Sequence, residues 1–288
     1  MNYNFFVDTM TFAKRTILAI SASLFAAAAW GQETLIPDPN LAAAIVKYAP
    51  NVKKGEPLTS AILESVIYLN VTKDAPVTTL AGLEKAKNLT TIFIDGSPIT
   101  DLKPLQNLSK LEALTIRSGK IQDLSPLAGL VNLTYLDLAG NQISDLKPIA
   151  GLKKLEMLFL ANNKIADIGS LAGLDALQTL HLDGNQIADV QALASLKKLS
   201  ILSAKNNHIG DVSPLTALTD LRYVYLDGNQ VSDLAPLVAM ATKDDQGPKK
   251  FAPYWTISLN GDPLSADAKA NELPQLRKHA LDVMTGNR

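Results

Sequence analysis

The stretch Leu133-Thr134-Tyr135-Leu136-Asp137-Leu138-Ala139-Gly140-Asn141-Gln142-Ile143-Ser144-Asp145-Leu146-Lys147-Pro148-Ile149-Ala150-Gly151-Leu152-Lys153-Lys154 decides the fold. It is one copy of a 22-residue unit that begins at Leu89, Leu111, Leu133, Leu155, Leu177, Leu199 and Leu221, seven copies without insertion or deletion. Positions 1, 4 and 6 are apolar, here Leu133, Leu136 and Leu138. Positions 4 and 6 alternate as the inward side chains of a short strand. A unit this small cannot close its own core. Its leucines are buried by the copies on either side, so stability is approximately a sum over neighbouring interfaces.

A fixed period of this length marks a solenoid, and the spacing L-x-x-L-x-L-x-x-N is that of a leucine-rich repeat. The predicted fold class is therefore an α/β leucine-rich repeat solenoid, with full units over residues 77–240 once the partial copy from Val77 is included. Position 9 is Asn in five copies: Asn141, Asn163, Asn185, Asn207 and Asn229. A buried amide there can satisfy backbone groups where the chain leaves the strand, so these residues are expected to stack as a ladder. Ser97 and Gly119 hold that place in the first two copies, where looser corners are expected. Position 13 is always Asp: Asp101, Asp123, Asp145, Asp167, Asp189, Asp211 and Asp233. A column of carboxylates invites a calcium reading, but the glycine-and-aspartate nonapeptide of calcium-binding coils is missing. Asp instead opens a tight turn and caps the helical turn after it, often with Pro three residues on. No metal ligand is assigned.

The chain has 288 residues, 47% of them hydrophobic, and a formal net charge of -1. That composition supports a large core. Near-neutral charge argues against nucleic acid or an anionic membrane as partner, since either would call for a basic stripe. There is no cysteine, which excludes disulfides, thiol catalysis and cysteine-ligated zinc. Lys14-Arg15 precedes a 15-residue apolar run, Thr16 to Trp30, that ends among small residues. These are the parts of a secretory signal, and the run falls short of the roughly 20 residues that span a bilayer. Residues 1–31 are read as a signal peptide cleaved after Ala29 or Gly31, with Met10 as an alternative start to Met1. The expected destination is periplasmic, secreted or extracellular, with no stable membrane insertion after cleavage.

Residues 32–76 read as a helical N-terminal cap. Asp38-Pro39-Asn40 signals a helix start, with Asp38 or Asn40 as cap residue, and Thr59 or Ser60 opens a second short helix. Val66–Val71 alternates as a first, irregular strand. Every repeat array needs such a lid with a polar outer face. At the far end, residues 241–253 are polar, contain Gly247-Pro248, and read as an exposed insertion. Residues 254–288 read as a last repeat turn and a helical C-terminal cap. In that turn Ile257 and Leu259 hold positions 4 and 6, and Asp262 replaces the ladder Asn. Ser265 is expected to cap the final helix, with Leu276, Ala280 and Leu281 on its apolar face.

The unit L-x-x-L-x-L-x-x-N-x-I-x-D-L-x-P-L-x-x-L-x-x resembles the repeat of the internalins of Gram-positive pathogens. Ile36-Pro37-Asp38-Pro39-Asn40-Leu41-Ala42-Ala43-Ala44-Ile45 resembles the start of their helical N-terminal cap. The closing Ala252-Pro253-Tyr254-Trp255 and Leu259-Asn260-Gly261-Asp262-Pro263-Leu264 look more like internalin-like proteins of Gram-negative bacteria. The resemblance implies a curved right-handed coil. A parallel sheet would line its concave face and short 3₁₀ turns its convex one, and the concave face would bind protein partners.

Outward strand positions 3, 5 and 7 build that face. They gather Tyr135, Met157, Phe159, His181, Ile201, Tyr223 and Tyr225 into an aromatic and apolar patch that the core does not need. Asp137, Asp183, Ser203, Lys205 and Asp227 are expected to rim it. Solvent-facing aromatics with a polar rim are what a protein-binding surface looks like. His181, Ser203 and Asp183 also stand within reach of one another, but an open sheet supplies neither a strained nucleophile nor an oxyanion donor. No catalytic residue is nominated, and no phosphate loop or zinc spacing calls for a cofactor. The function expected is a non-enzymatic, monomeric, exported module that binds a protein partner. An envelope scaffold that self-associates, or cell-wall carbohydrate binding through exposed aromatics, is the alternative.

Overall fold

The computed structural model describes residues 35–50, 52, 56–247 and 249–286. The signal peptide read over residues 1–31 lies outside them. Ten strands form one sheet in sequence order, every pair parallel. They are β1 (Tyr68–Val71), β2 (Thr91–Asp95), β3 (Ala113–Arg117), β4 (Tyr135–Asp137) and β5 (Met157–Phe159). Then come β6 (Thr179–His181), β7 (Ile201–Ser203), β8 (Tyr223–Tyr225), β9 (Thr256–Ser258) and β10 (Asp282–Met284). The repeat register sets the pairing: Leu114, Leu136, Leu158, Leu180 and Leu202 lie side by side. From β1 to β8 each coil returns through a 3₁₀ turn such as Lys147–Ile149 or Ser213–Ala217. Between strands and turns runs one continuous core of leucine, isoleucine and valine. Burying one such side chain contributes about 1.5–3 kcal/mol.

The columns do what their chemistry allows. Asn163 Nδ2 donates to the Leu138 and Leu160 carbonyls, both at 3.0 Å, while its Oδ1 accepts the Ile143 N–H at 3.0 Å. The same three bonds recur at Asn141, Asn185, Asn207 and Asn229. Ser97 closes its corner with one bond, its Oγ accepting the Val77 N–H at 3.1 Å. The seven position-13 aspartates each accept the N–H two residues on, from Lys103 after Asp101 to Ala235 after Asp233. They are turn-builders. Position 8 carries a constraint not expected from the sequence: φ is positive at Gly96, Ser118, Gly140, Asn162, Gly184, Asn206, Gly228 and Gly261. Only Gly and short polar residues tolerate that backbone cheaply.

The N-terminal lid is α1 (Pro39–Tyr48) and α2 (Ser60–Ser65). Asp38, not Asn40, caps α1, and Thr59, not Ser60, caps α2. Asp38 is buried and reaches both ways. Oδ1 accepts the Asn40 and Leu41 N–H groups, and Oδ2 accepts the Thr78 N–H at 2.7 Å and its hydroxyl at 2.9 Å. Burial opposes the charge, but these donors outweigh it and hold the carboxyl below the usual range.

Two readings of the C-terminal part are corrected. Residues 241–253 are not exposed throughout: Lys243, Gln246, Gly247, Lys249 and Lys250 meet solvent, but Ala241, Asp244, Phe251 and Ala252 are buried. The last convex turn extends into α3 (Ala235–Gln246), which buries Leu237, Met240, Ala241 and Asp244. Those four have the spacing of one helical face. Asp244, a charged residue, accepts the N–H groups of Lys250, Phe251 and Ala252 and folds the chain back on itself. Phe251 and Trp255 then pack edge to face, 5.2 Å apart, in the core. The cap also does not end in a helix. Residues 266–272 lead into α4 (Leu273–His279), and the chain then rejoins the sheet as β10. Leu276 is buried as expected, but Leu281 points outward at 70% exposure. His279 fixes α4 to α3, its Nδ1 3.0 Å from Asp245 Oδ2 and its Nε2 3.3 Å from Thr242 Oγ1.

Candidate protein-binding face

Strand pairing sets the outward residues in two columns. Tyr135, Met157, Thr179, Ile201 and Tyr223 adjoin in one; Asp137, Phe159, His181, Ser203 and Tyr225 adjoin in the other. Rings touch across strands. Tyr135 and Phe159 lie 5.3 Å apart with a tilt of 37°, and Phe159 meets His181 edge-on at 4.8 Å. Such pairs add about 0.5–1.5 kcal/mol each beyond the area they bury. Met157 and Tyr223 stand out at 38% and 41% exposure, while Tyr135, Phe159, His181, Ile201 and Tyr225 are half-buried among them.

The rim differs from expectation at two residues. Asp137 is only 1% exposed and Ser203 only 3%, so neither meets solvent. Both are short side chains turned to polar neighbours on the face, Asp137 to Arg117 and Ser203 to Asp183. Asp137 Oδ2 accepts from Arg117 Nε at 2.6 Å and forms an ion pair with its Nη2; Tyr135 Oη lies 3.5 Å away. Asp137 Oδ1 accepts the Ala139 N–H at 3.1 Å. The hydrogen bond and charge of Asp137 push Arg117 up from its ordinary value. Burial first, and the Asp137 charge next, raise the Tyr135 phenol. Arg117 was absent from the sequence reading of the patch. The signal for it was an Arg at position 7 one copy before an Asp at position 5.

Ser203 Oγ donates to Asp183 Oδ1 at 2.6 Å, and the Lys205 N–H joins the same oxygen at 2.8 Å. The device repeats one strand pair later: Asp227 Oδ1 accepts Ser258 Oγ, the Asn260 N–H at 3.1 Å and Asn260 Nδ2 at 2.6 Å. Burial opposes the Asp227 charge, but Ser258, Asn260 and the Lys205 ammonium together hold it below the usual range. Lys205 Nζ sits 4.9 Å from the Tyr225 ring centre and 3.4 Å from Asp227 Oδ2. Burial lowers the His181 pKa, outweighing the pull of Asp183 and Asp137. Of His181, Ser203 and Asp183, the Ser203 hydroxyl bonds the Asp183 carboxylate and the imidazole packs on Phe159.

Among solved structures, internalin C2 of Listeria monocytogenes aligns with 38% identity and a TM-score of 0.67, over 72% of this chain and 91% of its own. The chain belongs to the internalin-type leucine-rich repeat proteins. An internalin F structure from the same organism matches at 26% identity over 88% of this chain and 90% of its own, with a TM-score of 0.55. A leucine-rich repeat protein of Leptospira interrogans shares the fold at 19% identity and a TM-score of 0.64, covering 77% of this chain and 62% of its own. The family model for leucine-rich repeats in two copies matches in overlapping windows, 109–151, 131–173, 153–195, 175–215 and 197–239. No curated protein matches. Internalin-type repeats generally mediate protein–protein interaction, and among the described residues no helix is long and apolar enough to cross a membrane.

Proposed function

We propose that this internalin-type chain is an exported, non-enzymatic module that holds a protein partner on its concave face. The observation that carries the reading is the contiguous strip Tyr135–Phe159–His181, continued by Met157, Ile201, Tyr223 and Tyr225. The core is complete without these side chains, and their exposed edges are the kind of surface that anchors an interface. Asp183, Lys205 and Asp227 form its polar margin, with Asp137 and Ser203 as supports beneath. The test is affinity capture from a periplasmic or surface extract. Met157→Ala with Tyr223→Ala, which breaks neither ring pair, should leave thermal melting within about 2 °C of the parent and abolish capture. Capture that survives the double change rejects the face.

A second reading, self-association through the C-terminal end, draws support from Tyr254 and Leu281, exposed at 60% and 70%. Light scattering separates the two readings. A monomer at micromolar concentration counts against self-association.

A further inference from the structure

The last corner of the coil breaks the rule of the ladder with one atom. In the four coils before it, from Leu138 to Ala204, each position-6 carbonyl takes two amide donors. Leu160 accepts from Asn163 and Asn185, Leu182 from Asn185 and Asn207, and Ala204 from Asn207 and Asn229. Leu226 accepts from Asn229, and the place of its second donor falls to Asp262. Asp262 Oδ1 accepts the Val231 N–H at 3.0 Å, the bond each ladder Asn makes with its amide oxygen. Carboxyl and amide groups have the same planar shape. An Oδ1 in the amide-oxygen place therefore puts Oδ2 where five asparagines hold an NH₂ group. Oδ2 is buried and has no hydrogen-bond partner as an acceptor. A carboxylate there would face backbone carbonyls with a lone pair, which costs free energy; a carboxylic acid would present the missing donor.

We propose that Asp262 is the neutral acid of the ladder and that its proton is a latch. Protonated, it completes the last corner by donating toward the Leu226 carbonyl. Ionised, it loosens the coil formed by β9, α4 and β10. Burial, followed by the nearby Asp227 charge and opposed by the Val231 and Asn229 backbone N–H groups, raises the Asp262 pKa to about 6. The other charged groups around the corner are already engaged. Asp227 is bonded to Ser258 and Asn260 and lies 3.4 Å from Lys205. Asp233 accepts the Ala235 N–H, and Glu272 accepts the Leu234 N–H. These carboxylates offer Oδ2 no donor, and Lys205 is held at Asp227; the Asn229 backbone N–H acts on the carboxyl but makes no hydrogen bond to Oδ2. The sign follows. The folded chain binds a proton that the unfolded chain has released above about pH 4, so the contribution of this corner is full in acid and is lost as pH rises through about 6.

The test uses the full chain. Carboxyl ¹³C resonances followed by NMR should show Asp262 titrating with a midpoint above about 5, and a midpoint of about 5 or lower overturns the proposal. Asp262→Asn supplies the amide outright. It should melt about 3–6 °C above the parent at pH 7.5 and within about 1 °C of it at pH 4.5. An Asp262→Asn chain that melts at or below the parent at pH 7.5 overturns the latch, and the NMR midpoint decides on the parent alone if the variant folds poorly.

Discussion

Asn162 lays its side chain over Gly184. A Cβ placed on Gly184 would come within 2.5 Å of Asn162 Oδ1, and Asn206 stands in the same way over Gly228 at 2.6 Å. Position 8 thus alternates between a residue with a short polar side chain and a glycine that leaves room for it, with positive φ at both. Gly184→Ala meets two costs, left-handed backbone at about 1–2 kcal/mol and the contact with Asn162. Asn162→Gly removes the second and leaves the first. Gly184→Ala should therefore cost less in the Asn162→Gly background, with a coupling of about 0.5–1 kcal/mol in a double-mutant cycle by urea unfolding. Strict additivity would mean that the amide tip swings away freely.

The Arg117–Asp137 pair should respond asymmetrically. Asp137 is buried, whereas Arg117 keeps 42% of its side chain in solvent. Without Asp137, the guanidinium can turn to water. Without Arg117, a buried carboxylate keeps the Ala139 N–H but loses its counter-charge. Arg117→Ala is expected to cost about 2–4 kcal/mol and Asp137→Asn about 1 kcal/mol, after allowance for solvent screening at the arginine. Denaturant midpoints at constant slope test the order. If Asp137→Asn is the costlier change, the pair does not support the face in this way.

His181 sets a pH dependence opposite in sign to that of Asp262. Its pKa is lowered by burial, so below about pH 6.5 the unfolded chain takes up a proton more readily than the folded one. Stability from this residue is full above that pH and is lost as pH falls toward the lowered folded value. A partner that covers His181 further should bind more weakly in acid for the same reason. His181→Gln should gain stability relative to the parent between about pH 6.5 and 5, as read by melting at each pH. A difference between the two chains that stays flat across that window would show that the imidazole is not constrained.

The sheet and its register were legible because leucines at positions 1, 4 and 6 leave no alternative period. Depth was not. Alternation states that Asp137 and Ser203 point to the sheet's outer face, but not that they are buried there against Arg117 and Asp183. Charge misled in the same way over 241–253, where Asp244 is an acceptor for three backbone N–H groups and not a surface residue. β10 escaped because one inward side chain, Val283, carries no period. Partner identity lies beyond any of these columns, since a repeat scaffold specifies how a surface is built and not what it meets.

The ladder itself offers a control for the acid at its end. Asn185 is buried, donates to the Leu160 and Leu182 carbonyls, and accepts the Ile165 N–H at 3.0 Å. Asn185→Ala abandons all three backbone groups and should cost about 3–5 kcal/mol. Asn185→Asp keeps the acceptor and exchanges the donor for an atom that donates only when protonated. Its folded pKa should therefore rise, and its stability should fall as pH climbs from about 4.5 to 7.5, with Asn185→Ala showing no such slope relative to the parent. Melting curves for the two variants at both pH values suffice. If Asn185→Asp is no better tolerated in acid than at neutral pH, a carboxylic acid cannot stand in for the ladder amide, and the reading of Asp262 loses its chemical basis.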